Sequence, residues 1–119
     1  MAVPVKLVIL ESPFAGNGWW LLRLWRQYQN VRYARACLRD SLLRGESPIA
    51  SHLLYTQPGV LSDQIPHERK NGTDAGLAWK SVADASVVYM DRGISKGMLY
   101  GVCAAKDAGL PVEYRRLWQ

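Results

Sequence analysis

The apolar run Ala85-Ser-Val-Val-Tyr-Met90 ends in an acid, Asp91, turns through two glycines in Arg92-Gly-Ile-Ser-Lys-Gly97, and enters a segment with the apolar spacing of a helix, Ser95 to Ala108. A buried strand that turns into a helix in this way commits the chain to βα connectivity. It also gathers backbone N–H groups, a Ser hydroxyl and a helix N-terminus at one mouth, where anionic or ribose-bearing ligands bind in such folds. Asp91, Gly93, Ser95, Gly97 and Met98 are the candidates there. The helix carries no carboxylate before Asp107, so bond-breaking chemistry at this mouth needs an acid or base from elsewhere. Binding is better supported than catalysis.

The rest of the chain repeats the alternation. Val5-Lys-Leu-Val-Ile-Leu10 is short, rich in branched residues and closed by Glu11-Ser-Pro-Phe-Ala-Gly16, as a central strand and its exit loop would be. From Gly18 to Arg44 apolar residues recur at steps of three and four (Leu21, Leu24, Tyr28, Val31, Ala34, Leu38, Leu42), and Gly45 is a natural stop. Ile49 to Tyr55 is a second strand candidate, left through Gln57-Pro-Gly59. Pro66 suits the first position of a helix reaching about Val82, although Gly72 and Gly76 each weaken it by about 1 kcal/mol relative to Ala. Pro111 to Arg115 is a short final strand.

Strands alternating with helices predict one α/β domain over residues 1–119, a Rossmann- or flavodoxin-like three-layer sandwich with a four-stranded parallel sheet in the order 2-1-3-4. Strand order reverses between the first and third strands. Glu11, Ser12, Pro13 and Phe14 should therefore face Asp91 to Ser95 across the ligand crevice.

Charge is unevenly placed. Of the net +5, all resides between Gly18 and Arg44, where six arginines meet one acid, Asp40. This segment suits an acidic partner or an ordinary solvated helix face. No RNP, zinc or helix-turn-helix pattern accompanies it, so nucleic acid is not expected. Its first part, a Trp/Arg-rich insertion at about 17–29, is apolar on nearly all sides, which predicts either cover by a second subunit or protein partner at Trp19, Trp20 and Trp25, or folding back onto its own sheet. Cys37 and Cys103 lack metal-ligand spacing, which predicts no metal, no disulfide and a reducing, cytoplasmic setting. No cofactor and no membrane span are expected.

Several stretches together carry a family likeness: Glu11-Ser-Pro-Phe-Ala-Gly16, Ser51-His52, Trp79 ahead of Ala83-Asp84, Ser95-Lys-Gly-Met-Leu-Tyr-Gly101 and Gly109-Leu-Pro-Val112. They resemble the nucleoside 2-deoxyribosyltransferase-like superfamily. Within it, Asn30 to Cys37 and Ser51 to Gly59 look like stretches of a group of short bacterial and phage proteins. The resemblance implies a nucleoside or nucleotide ligand and a homo-oligomer. In active members it implies a glutamate nucleophile in the helix after the third strand and an aspartate in the helix before it. Register places Gly101 and Gly76 at those positions, so both carboxylates are missing here. A glycosyl-enzyme intermediate needs a carboxylate. Either the site has kept recognition and lost cleavage, or a relocated carboxylate substitutes, with Glu11, Glu68, Asp74 and Asp91 in reach by topology; Glu11 and Asp91 are the leading candidates.

Each candidate also has a plain structural reading. Ser95 can cap its helix instead of holding phosphate. Glu11 and Asp91 suit ribose hydroxyls or pairing with Arg32 and Arg92. His52, placed in an apolar strand, can be a satisfied buried imidazole. Arg32 can fork to a phosphate or stand in solvent. Phe14 and Tyr55 can stack on a base or fill the core. A protein-interaction role for the basic, Trp-rich first helix, as an inhibitor of another enzyme, is the third reading.

Overall fold

Parallel pairing of four short runs builds the sheet, in a computed structural model that describes residues 5–16 and 18–118. The strands are β1 (Leu7–Glu11), β2 (Ser47–Ile49), β3 (Ala85–Tyr89) and β4 (Val112–Arg115), in the order β2-β1-β3-β4. Register sets Val8 beside Ala85 and Glu11 beside Val88, so the ends of β1 and β3 lie next to each other. The reversal of strand order is where the alternation predicted it.

Side chains of alternate parity point to opposite faces of a strand. Val8, Leu10, Ala85, Val87 and Tyr89 form one core with Tyr33 and Cys37 of α1 (Trp20–Leu43). Val88 packs on the other face with Met98 and Val102 of α4 (Lys96–Asp107). The result is the three-layer α/β sandwich. Burial on both faces explains why β3 is closed to solvent along its whole length. A buried ion pair ties β4 to the turn before β2: Arg115 of β4 donates to both carboxylate oxygens of Glu46 at 2.7 and 2.6 Å, and also to Tyr89 Oη.

One sequence expectation needs correction. Only Ser47–Ile49 is strand; Ser51–Leu54 is a helical turn, α2, so His52 sits on a helix beyond the strand and not within it. A short apolar run does not distinguish strand from buried helix by periodicity, which is why the sequence misled. The Trp-rich stretch at 17–29 forms, from Trp20 onward, the opening of the continuous helix α1, as the apolar spacing from Gly18 to Arg44 predicts; Asn17 lies outside the described residues. Pro66–Ala78 forms α3, followed by a 3-10 turn over Trp79–Ser81. Among the described residues no helix is long and apolar enough to cross a membrane.

Candidate functional site

Glu11 is the last residue of β1 and has the same parity as Ile9, so its side chain turns toward α4. There it meets Gly101. A Cβ built on Gly101 would collide with Oε2 of Glu11 and lie 2.7 Å from its Cδ. The Glu11 carboxyl therefore occupies the space into which a side chain at position 101 would grow. Burial pushes this carboxyl up to about 7, while the positive charge of Lys80 pulls in the other direction. Lys80 is itself buried, and burial lowers its ammonium against the opposing pull of Glu11. An acid balanced near neutrality thus stands at the end of β1.

The next residue turns the other way. Ser12 is buried, and its Oγ shares a hydrogen bond with His52 Nε2 at 2.8 Å. Burial lowers the imidazole to about 4, so His52 is neutral at physiological pH. Phe14 stands edge-on to His52, with ring centroids 6.3 Å apart. Pro13 is buried between them in the chain. Beyond Phe14 opens a cavity of about 510 Å³, bounded by Gln27, Thr56, the loop 57–65 and Glu68. Ser12, Phe14 and His52 are thus brought together at the carboxyl end of β1, with Phe14 lining the cavity, while the Glu11 carboxyl lies on the other side of the strand against Gly101. A second cavity, about 600 Å³ and mostly apolar, runs along β2 past Leu7, Leu53 and Val82, reaching the opposite end of the sheet.

The Asp91 side of the crevice is built differently. Asp91 Oδ1 accepts from Tyr33 Oη at 2.6 Å and from the Leu117 N–H at 2.8 Å, Oδ2 accepts from the Trp118 N–H at 3.1 Å, and the Asp91 N–H donates to Tyr33 Oη. Partial burial raises this carboxyl, but these donors outweigh it and hold it below the usual carboxylate range. Its acceptors are occupied in tying the chain after β4 to α1. Arg92 donates to Asn30 Oδ1 at 2.8 Å, not to either acid. Gly93, with φ 85°, makes the turn that a Cβ would strain. Ser95 caps α4 by accepting the Met98 N–H at 3.2 Å, and Met98 is buried in the core beneath. Gly97 is exposed in the first turn, and Arg32 is exposed on α1. Neither cavity described above is lined by residues 91–98.

Two further residues were not legible as site residues. Lys80 showed no motif, because its relation to Glu11 exists only across the fold. Ser51 closes on Gly76 in the same way: a Cβ on Gly76 would lie 2.6 Å from Ser51 Oγ. Gly76 and Gly101 are both closely packed against polar side chains from other elements.

A four-stranded parallel sheet with helices on both faces and its order reversing between β1 and β3 defines a Rossmann-like α/β fold. Residues 6–115 match the family described as a domain of unknown function, DUF7768, and the chain belongs to that family. Among solved structures, it is similar to a 2-deoxyribosyltransferase from Bacillus psychrosaccharolyticus, with a TM-score of 0.62 and 20% identity over 93% of this chain and 72% of that one. Curated proteins give no match.

Proposed function

We propose that this protein binds a nucleoside or nucleotide at the carboxyl end of β1, with Glu11 as the acid that holds the ribose. The observation that carries this reading is the pairing of Ser12 with His52 against Phe14, which lines the 510 Å³ cavity, one residue on from the buried Glu11 carboxyl at the end of β1. A carboxylate accepts two hydroxyls of a sugar at once, a neutral imidazole and a serine offer both donor and acceptor, and an aromatic face stacks on a base. Asp91 and Ser95 act on the ligand only through the loop they hold in place. The fold of the similar 2-deoxyribosyltransferase supports a nucleoside-related ligand. Binding without turnover would make this a nucleotide-sequestering protein.

The coincidence of the Glu11 carboxyl with the side-chain space of Gly101 favours a second reading, cleavage of the N-glycosidic bond by a relocated acid. In that reaction the Glu11 carboxylate would attack C1′, the bond from C1′ to the base nitrogen would break as the base takes up a proton, and water would then hydrolyse the glycosyl ester. A carboxyl with a pKa of about 7 supplies the ionised form in quantity at neutral pH.

Calorimetric titration with nucleosides and their 5′-monophosphates, coupled to chromatographic detection of free base, separates the readings. Saturable binding weakened at least tenfold by Glu11→Gln, with no base released, supports recognition. Base release abolished by Glu11→Gln establishes cleavage. Absence of binding across all the common bases and phosphate states overturns both.

A further inference from the structure

The outer face of α1 changes character halfway along. Trp20, Leu24 and Tyr28 stand at steps of four with Leu21 and Trp25 beside them, and these five are between 48% and 62% exposed. At 100° per residue this stripe lies opposite the residues by which α1 meets the domain, Asn30, Tyr33, Ala34, Cys37 and Ser41. The same outer face then continues as Arg32, Arg35 and Arg39, all exposed. Trp25 and Tyr28 are already stacked, with ring centroids 5.9 Å apart. The apolar half leaves on the order of 600 Å² bare if each aromatic offers ~150–250 Å² and about half is exposed, at the upper limit of patches found on monomers. With the arginine stems the stripe approaches the roughly 800 Å² per partner of a stable interface.

We infer that this stripe pairs with the same stripe of a second copy of the chain, the two α1 helices antiparallel about a two-fold axis crossing near Asn30. Such an axis brings together residues whose numbers sum to about 60, so that Tyr28 meets Arg32, Trp25 meets Arg35, and Leu21 meets Arg39 of the second copy. The rings of Trp25 and Tyr28 then each receive a guanidinium, which is a cation–π contact, and each arginine stem covers apolar surface. A parallel pairing would instead set arginine on arginine. The one acid on α1, Asp40, is engaged by Arg44 and Tyr89 and offers these arginines no local partner of their own. A membrane surface fits less well, because the three cations share the face that would have to insert rather than bordering it.

Mass measured by light scattering across a wide concentration range, with the full chain at moderate salt, tests this. The wild type should be a dimer. Leu21→Arg should halve the mass by placing like charges together, whereas Leu21→Glu, facing Arg39 of the second copy, should keep the dimer; Trp25→Ser should raise the dissociation constant at least tenfold. All three positions are exposed, and circular dichroism checks that each variant is folded; Arg35→Glu, which should also dissociate the dimer, serves if one is not. A wild type monomeric at every concentration, a dimer indifferent to Leu21→Arg and Trp25→Ser, or a monomer that sediments with phosphatidylserine vesicles would each overturn the inference.

Discussion

The carboxyl of Glu11, on β1, fills the space beside Gly101, on α4, that any larger residue at position 101 would need. The two positions are ninety residues apart in sequence and chemically interdependent in the fold. A glycine at 101 is thereby required by an acid at 11.

That interdependence is measurable. Gly101→Ala should cost about 1–3 kcal/mol, as overpacking of a filled site does, because the methyl group must displace a buried carboxyl. In a Glu11→Ala background the same change should cost little or even stabilise the helix. Urea denaturation of the four members of the cycle checks this; additive effects would mean that the two residues do not compete for the space.

Stability against pH should show two opposed contributions. Glu11 has a folded pKa raised from 4.5 to about 7, so the folded state holds its proton more tightly, and the stabilisation present below pH 4.5 is lost as pH rises toward 7. His52 has a folded pKa lowered from 6.5 to about 4, so its contribution is present above pH 6.5 and lost as pH falls toward 4. Each is worth up to about 3 kcal/mol, and between pH 4.5 and 6.5 they offset each other. Glu11→Gln should therefore make stability climb with pH through that window, while His52→Gln should make it fall. Denaturant midpoints at half-unit pH steps decide; unchanged slopes in both variants would contradict the assignment.

Asp91 should prove a tether for the chain end. Asp91→Asn leaves one carbonyl oxygen for donors that now share two carboxylate oxygens, from Tyr33, Leu117 and Trp118, and a loss of about 1–3 kcal/mol follows. Amide exchange at Leu117 and Trp118 should accelerate. Ligand affinity should change far less than in Glu11→Gln; an equal loss in both variants would move Asp91 into the binding site.

The buried pair between β4 and the turn before β2 should be asymmetric in its response. Arg115 is enclosed, and removing its partner by Glu46→Gln strands a guanidinium that retains only Tyr89 and Glu113. A loss of about 3–5 kcal/mol is expected from breaking one half of such a pair. Thermal unfolding gives the measurement, and a shift of only one or two degrees would show that Glu113 suffices.

Periodicity and punctuation made the architecture legible before any coordinates. Branched runs separated by helical stripes, Gly45 with its positive φ after α1, Pro66 at the start of α3 and Ser95 capping α4 all stand where local chemistry put them. The exception, Ser51–Leu54, is an apolar stretch too short for its period to decide.

The site was legible only in part. Glu11 could be marked by type and by its place in the topology, since strand ends at a reversal of order collect ligands, and His52 by type alone. Their states could not. What the sequence by itself determined is the order of elements and the arrangement of the sheet, because helix and strand periods, caps and crossover handedness are local or nearly local. Only the tertiary structure decided that the Glu11 carboxyl packs on Gly101, that burial and Lys80 set its proton affinity, and that Asp91 is held by Tyr33 and the backbone after β4. Those properties arise from distance and desolvation between residues far apart in the chain, and no local pattern records them.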